Sequence, residues 1–548
     1  MKRTLSKYVS EYEMDGRTIG LFNSVFLTKK FIDKDIWTKL KNSTDFSEIP
    51  AAEVENLEDG KMVIEENEDE KRLNELRAGR ATRPSVEVMY LFLTNTCNLK
   101  CKYCVIDKEH AQKETGSFMT RETADRAIEL FFMNTETKEP GILLWGGEPL
   151  SNWDVFKRAV GRARELEKKY SKKLVIYTVS NGTLLTQEIA EFFKANHVGC
   201  SISMDGLKEQ HDSMRIYADG RGTYGDIRNN LKLLKEAGVE FGISLAIGSH
   251  NVDVLPAVGR ELCKDLEAKR MGSSLLVNVD SANPAYTANE RVAGQLINLF
   301  KELSAAGILE DPVTRKVKSF AFNKEHLHSC GAGGLQIAVM PNGYIGICHY
   351  AASAGKWLIG TVNDTAEKVF RSQALAEWAR RSPINMPQCY ECPGLVMCGG
   401  GCPYDAYQKK GDLWGLDERF CTLCNESIKW MMQELYKARR PARAAKSAVL
   451  VKMEEVVAQT NFIRTYLHAS PEVVGVAVTE EELQRGADSF RLSNGLTSAK
   501  ATEEWMSHHG ITPEFFAEFL ECAILIGTYR DRQKNEAASL EQMENLGR

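Results

Sequence analysis

The chain has 548 residues, long enough for about three or four domains. Hydrophobic residues make up 43% and charged residues 26%, the values of a globular protein, and a net charge of −5 gives no basis for binding nucleic acid or a membrane surface. The polar N-terminus has no apolar signal segment and no apolar run reaches the length of a bilayer span, so the reading is a cytoplasmic protein without a transmembrane helix. Fourteen cysteines in such a chain point to metal or cluster binding rather than disulfides. Three lie at 97–104 and eight at 330–424; Cys200, Cys263 and Cys522 stand alone as packing residues.

Residues 1–84 read as a small separate unit. The run Thr18 to Leu27 predicts a strand, and Ile32, Ile36, Trp37 and Leu40 predict a helix after it. The carboxylate-dense stretch Glu53 to Glu70 reads as a solvated face or linker. From Val86 to about Ala321, apolar runs at 86–93, 141–145, 174–179, 199–204, 241–247 and 275–279 alternate with amphipathic segments such as 121–132, 185–194 and 225–237. That alternation predicts an α/β fold with a parallel sheet of βα units.

The first run leads straight into Cys97, Cys101 and Cys104, spaced C-x3-C-x2-C. The loop that leaves a strand is where an α/β fold places its active site. Three thiolates on one short loop can hold three irons of a [4Fe–4S] cluster and leave the fourth open. Zinc would want a fourth protein ligand, and none follows closely. After the second run comes Gly146-Gly147-Glu148-Pro149, and after the third Ser180-Asn181-Gly182. The fourth ends in Ser203-Met204-Asp205-Gly206 and continues through His211-Asp212 to Arg215.

The cysteine loop resembles the signature of the radical S-adenosylmethionine (SAM) enzymes. The resemblance implies a partial (β/α)6 barrel over 85–325. It also implies a cluster on Cys97, Cys101 and Cys104 whose open iron binds the amine and carboxylate of SAM, and a 5′-deoxyadenosyl radical that takes a hydrogen atom from substrate. By the same resemblance Tyr103 lies by the adenine, Gly146, Gly147, Glu148 and Pro149 bind the SAM amino group, and Ser180 and Asn181 stand at the family's "TNG" position. Ser203 and Arg215 hold the SAM carboxylate, a role that suits a guanidinium.

The second cysteine group runs Cys330, Gly343, Cys348, then Cys389, Cys392, Cys398, Cys402, then Cys421. Pro341-Asn342-Gly343 is a hairpin signal that brings Cys330 and Cys348 to adjacent strands. The spacing resembles the SPASM domain of peptide and sulfatase maturases and assigns it to 326–435. That resemblance implies two auxiliary [4Fe–4S] clusters, three in all. The outer is held by Cys389, Cys392, Cys398 and Cys421, and the inner by Cys330, Cys348 and Cys402. The inner cluster's fourth ligand is open to two readings. Sulfatase maturases place a cysteine just before Cys330, where this chain has His326 and His328; Cys424 fills the gap, or the iron is left for a substrate thiol. His349 stands where those enzymes keep an aspartate base.

Residues 1–84 are loosely similar to the winged-helix-like elements that hold a leader peptide by strand addition in peptide-modifying relatives. Lys437 to Arg443 reads as a basic linker, and 436–548 as a helical domain with a capping box at Thr479 and Glu482 and a further helix opening at Thr512-Pro513. The function expected is a cross-link, a thioether above others, in a ribosomally made precursor peptide, with a flavodoxin or ferredoxin as reducing partner. The alternatives are a formylglycine-generating anaerobic sulfatase maturase and a non-catalytic iron–sulfur protein that carries electrons or scaffolds a complex.

Overall fold

The computed structural model describes residues 2–42, 46–80, 84–106, 117–277, 285–439, 448–470 and 472–546. The N-terminal unit has strands β1 (Arg3–Leu5), β2 (Val9–Glu13), β3 (Thr18–Asn23), β4 (Thr28–Asp33) and β5 (Val63–Glu65). β2, β3 and β4 form an antiparallel sheet in that order, and β1 pairs with β5. The strand expected over 18–27 ends at Asn23. The Asn23 side chain accepts from the backbone of Val25 and Phe26, Leu27 takes a left-handed φ of 57°, and the chain turns into β4. Ile32 therefore lies on a strand, and the helix is Lys34–Asn42. The stretch 53–70 is not a linker. It holds the helix Ala51–Asp59, β5 and the start of the helix Glu68–Arg80, with Val54, Leu57, Met62, Val63 and Ile64 buried.

The central sheet begins with β6 (Val88–Thr94), all seven residues of which are buried. Val88, Tyr90 and Phe92 point to its inner face, and Met89, Leu91 and Leu93 pack under the helices. There follow β7 (Gly141–Gly146), β8 (Val175–Ser180), β9 (Val198–Ser203), β10 (Phe241–Ile247), β11 (Arg270–Leu275) and β12 (Leu309–Glu310), each parallel to the one before. Helices such as Arg121–Asn134, Trp153–Lys169, Gln187–Ala195 and Tyr224–Glu236 make the crossovers. Thr120 and Thr186 cap two of them. β11 lies earlier than the apolar run at 275–279. Its sequence, Arg-Met-Gly-Ser-Ser-Leu, buries only Met271 in the layer under the helices, with Leu275 half-buried against it, so it carries little apolar signal. Residues 278 and 279 are outside the described residues.

The sheet does not stop at the barrel. β13 (Gln336–Val339) pairs parallel with β6, and β14 (Tyr344–Gly346) and β15 (Leu358–Thr361) continue it antiparallel, giving ten strands in an open sheet with edges at β12 and β15. The β13–β14 hairpin turns at Gly343, whose φ of 85° suits glycine. Cys330 and Cys348 flank this hairpin rather than lie on its strands. The long helix Glu418–Lys437 and the helix Ala448–Leu467 pack on the helix Asn289–Ala305. The capping box at Thr479 and Glu482 is formed, and Pro513 opens the last helix. The linker expected over 437–443 lies outside the described residues from 440 onward. Lys30 on β4 pairs with Glu455 at 2.8 Å and donates to Asn56 at 2.7 Å, which ties the N-terminal unit to the C-terminal helices. Among the described residues no helix is long and apolar enough to cross a membrane.

Candidate functional site

The cysteine loop is fixed at both ends by backbone. Thr94 closes the exit of β6, donating to the Ser117 carbonyl at 2.9 Å and accepting from the Thr96 amide at 3.0 Å. Gly147 and Glu148 donate their amides to the Thr94 and Thr96 carbonyls at 2.9 and 3.0 Å. A Cβ on Gly146 or Gly147 would stand 2.1 or 2.3 Å from those oxygens, so the glycine pair is demanded by this contact alone. On the far side, Lys100 and Lys102 donate to the Ile216 and Met214 carbonyls. Asn181 reaches over with its amide nitrogen 3.7 Å from Cys97 Sγ and 2.9 Å from Asn98 Oδ1. Burial pushes the Cys97 thiol up to about 12 and that of Cys101 up to about 11, so both are thiols until a metal displaces the proton.

Glu148 is completely buried, and its carboxylate accepts from Ser180 Oγ (2.9 Å), the Asn181 amide (2.7 Å) and the Leu150 amide (3.1 Å). Burial raises its pKa to about 7 against these three donors. Glu148 thus joins the ends of β7 and β8. Pro149 begins the short turn of helix after it.

Ser203 ends β9, and Asp205 follows it as a fully enclosed carboxylate. Asp205 accepts from Arg215 Nε at 2.8 Å, from the Tyr103 hydroxyl and from the Ala246 amide at 3.0 Å. Arg215 also lies over the Tyr103 ring, 5.5 Å from its centroid. Burial opposes both charges, yet the pair wins: Asp205 sits below the usual carboxylate range and Arg215 above its ordinary value. His211 is buried; its Nδ1 accepts from the Asp205 amide and its Nε2 donates to the Thr223 hydroxyl at 2.8 Å, which in turn donates to the Arg215 carbonyl. The sequence motif contained Asp205 without giving it a role; here it is the hub that binds Tyr103, Arg215 and the end of β10. His250 was not foreseen at all. Its ring stacks on Tyr103 with centroids 6.1 Å apart, and neither ring nitrogen has a hydrogen-bond partner.

His349 comes to the inner face of the sheet. It stacks on Tyr90 of β6 at 4.6 Å and 10°, and meets Trp145 of β7 edge-on at 5.6 Å. Tyr90 and Trp145 belong to the same inner cluster as Cys104. Both His349 nitrogens and Trp145 Nε1 are buried without a partner. Burial alone drives the His349 pKa down to about 3, so the ring is neutral.

The eight later cysteines divide in two. Cys330, Cys348 and Cys402 face one another, and burial, then Cys330, pushes the Cys348 thiol up to about 12. Tyr350 is buried within electrostatic reach of Cys348 and Cys402 and also of Cys104. Cys389, Cys392, Cys398 and Cys421 form the second group. Cys424 belongs with them: it is hydrogen-bonded to Cys398, and a Cβ on Gly394 would sit 2.7 Å from its sulfur. His328 is engaged with the Ala379 carbonyl at 2.8 Å. Among the described residues no three Cys, His, Asp or Glu side chains converge on a single-ion position. Each thiolate of a cubane binds its own iron and stands further from the others than ligands of one zinc. Three cysteine sets of three or more thiols suit such clusters.

Residues 91–258 match the Radical SAM superfamily. The chain carries a radical SAM domain. It is accordingly an enzyme whose cofactors are SAM and a [4Fe–4S] cluster. Over 470 residues, 78% of this chain and 95% of the relative, it is 23% identical to the radical SAM cyclopropyl synthase TigE of Paramaledivibacter caminithermalis. Over 357 residues, 58% of this chain and 82% of the relative, it is 25% identical to the serine-type anaerobic sulfatase-maturating enzyme of Bacteroides thetaiotaomicron. The solved structure of native anSMEcpe with bound AdoMet, which is SAM, shares the fold with a TM-score of 0.57 and 19% identity, covering 64% of this chain and 98% of that one. Beyond the radical SAM domain, the likeness to TigE takes in a larger share of this chain than the likeness to the sulfatase maturase.

Proposed function

We propose that this radical SAM enzyme is a maturase that installs a cross-link in a ribosomally made precursor peptide. The observation that supports the reading is that Tyr350 feels the thiols of both cysteine sets, Cys348 and Cys402 from the later one and Cys104 from the loop of Cys97, Cys101 and Cys104. When bound, the cofactors supply a 5′-deoxyadenosyl radical that takes a hydrogen atom from the substrate.

The chain's own residues do the rest. Cys97, Cys101 and Cys104 hold the reducing cluster. Tyr103, Gly146, Gly147, Glu148, Pro149, Ser180, Asn181, Ser203 and Arg215 surround SAM, with Asp205 orienting Arg215 and Tyr103. Cys389, Cys392, Cys398 and Cys421 hold the outer auxiliary cluster, and the inner set offers three thiols, one fewer than the irons of a cubane, so that a thiol of the substrate takes the fourth, which favours a thioether. His349, Trp145 and Tyr90 wall the substrate. His349 is the chain's base if a substrate proton must leave, and its unpartnered nitrogens leave it free to meet one. The units 1–84, 85–325, 326–435 and 436–548 divide the work. The first takes the leader along the outer edge of β2, where Glu11 and Glu13 are exposed. A flavodoxin or ferredoxin supplies the electron.

Two further products have specific support. A relative that spans most of this chain is a cyclopropyl synthase, which favours ring closure between carbons. The likeness to a sulfatase maturase favours formylglycine. Anaerobic turnover of a precursor peptide, read by mass, thiol labelling and aldehyde labelling, separates them. A product two hydrogens lighter with one labelled thiol lost is a thioether; the same mass with every thiol retained is formylglycine from serine if an aldehyde is labelled and a carbon ring if none is. Absence of 5′-deoxyadenosine from the wild type, or its undiminished formation with Cys97, Cys101 and Cys104 all replaced by alanine, sinks the whole reading. Iron counting tests the ligand sets: Cys421→Ala is expected to lose about four irons and Cys424→Ala none, because a [4Fe–4S] cluster takes four thiolates and Cys424 is the fifth.

A further inference from the structure

Arg381 follows the helix Gln373–Arg380 and is only 2% exposed, one of the largest fully enclosed side chains of the molecule. Its guanidinium donates to backbone carbonyls: Nε to Leu413, Nη1 to Gly400 at 2.9 Å and Nη2 to Gly415 at 2.8 Å. Carbonyl dipoles satisfy its N–H groups but leave its charge unneutralised, and a buried charge without a counter-charge is costly. The carboxylate nearby, Asp417, is held by Arg419 at 2.8 Å and also accepts from the Cys402 amide at 3.0 Å. The other groups within electrostatic reach of Arg381 that become anionic as metal-bound thiolates are Cys402 and Cys330 from the inner set and Cys389 from the outer set.

The local backbone explains this position. Cys398 belongs to the outer set and Cys402 to the inner, and Gly399, Gly400 and Gly401 between them all take left-handed φ values of 80°, 82° and 68°. This three-glycine turn joins a cysteine of one set to a cysteine of the other. Arg381 binds the carbonyl at its centre, and a Cβ on Gly400 would come within 3.3 Å of Nη1. The arginine is thus fastened to the segment that separates the two cysteine sets.

We infer that Arg381 is the shared counter-charge of the two auxiliary clusters, a positioning residue whose enclosed guanidinium raises the reduction potentials of both. The inference rests on the auxiliary clusters of the proposed function. A cubane held by thiolates is anionic, and charge near the cluster sets its potential. A cation placed between two such clusters favours the added electron on each, so its removal lowers both potentials together. A residue that merely packs would leave both unchanged.

The test uses the full chain, reconstituted anaerobically, with Arg381→Met and Arg381→Lys. Iron per chain is counted, and each auxiliary cluster is followed through a redox titration by electron paramagnetic resonance. The expected result is wild-type iron in both variants, both auxiliary potentials shifted negative in Arg381→Met, and a smaller shift of the same sign in Arg381→Lys. A shift confined to one cluster, or none, overturns the inference. If Arg381→Met fails to hold iron, Arg381→Lys decides alone, since its two potentials must still move together. A wild-type protein that loads only the SAM-loop cluster fails the auxiliary-cluster reading instead, before either variant is made.

Discussion

Two walls of the same inner face are built on opposite terms. Where β9 and β10 end, the charged groups are paired: Asp205 with Arg215, Tyr103 and the Ala246 amide, and beside them His211 with Thr223, while the His250 ring nitrogens are the exception. Where β6 and β7 meet the hairpin after Val339, Trp145 Nε1 and both His349 nitrogens are enclosed with nothing to bond. Buried polar groups are almost always satisfied, and each exception asks for a reason. The difference separates a wall whose charged side chains are neutralised within the protein from one whose enclosed polar groups, Trp145 Nε1 and the His349 nitrogens, have no protein partner. The paired wall carries the residues assigned to SAM, and the unpaired one lies on the side of the auxiliary cysteines.

The largest break in that contrast comes from Arg215→Ala. It strands the Asp205 carboxylate in a site with no access to water, and removing one partner of a buried pair costs about 3–5 kcal/mol. Denaturant unfolding of the apo-protein measures it, and a loss below about 1 kcal/mol, the scale of an exposed pair, would mean that Asp205 has another counter-charge. The same variant is expected to weaken SAM binding by about 1.5–3 kcal/mol, the range of a hydrogen bond to a charged group. Asp205→Asn with Arg215 intact separates orientation of the arginine from its charge.

Glu148 gives a smaller effect with a definite pH signature. Its folded pKa of about 7 lies above the ordinary glutamate value, so between these two the native state binds more protons than the unfolded one. Its own contribution to stability is then highest below about pH 4.5 and falls as pH rises through 7, by about 3 kcal/mol in all. Buried neutral His349, with a folded pKa of about 3, acts in the opposite sense, so the quantity to measure is the difference between the wild type and Glu148→Gln. From pH 5 to pH 8 the unfolding free energy of the wild type is expected to fall relative to that of Glu148→Gln by about 2–3 kcal/mol, and a difference that stays constant or changes the other way would refute the assignment.

Much of the paired wall was legible in the sequence, and little of the other. Cysteine spacing, the Gly-Gly-Glu-Pro turn and the Ser203-to-Arg215 stretch named most residues that the structure brings together on the paired wall, because they are contiguous motifs at strand ends. The six βα units were legible too, except at β11, where Gly272 and the serines hide the strand. Trp145 and Tyr90 read as core residues of apolar runs. Only the tertiary approach of the β13–β14 hairpin to β6 brings His349 onto them, and pairing between residues 88 and 336 leaves no local trace. Arg381 and Cys424 were obscure for a like reason. An arginine in a polar stretch looks exposed, and the side a helical cysteine faces depends on what packs there. The boundary of the N-terminal strand failed at Asn23, whose side chain makes a turn that the apolar run through Leu27 concealed.

The smallest effect on stability, and the sharpest test of the contrast, is His349→Phe. The ring keeps its stack on Tyr90 and its edge contact with Trp145, while two enclosed nitrogens without partners disappear. Replacing an unsatisfied buried polar group by an apolar one of similar shape is close to neutral or stabilising. The variant is therefore expected to match the wild type within about 1 kcal/mol or to exceed it, whereas a residue on the paired wall loses several times that. Product formation is expected to fall while 5′-deoxyadenosine is still released without coupling to product, since SAM is held elsewhere and only the substrate loses its partner. If His349→Phe instead unfolds as readily as Arg215→Ala, the nitrogens already have a structural partner and the two walls are built alike. If it is stable and makes product at the wild-type rate, the empty bonds on this wall do not await the substrate.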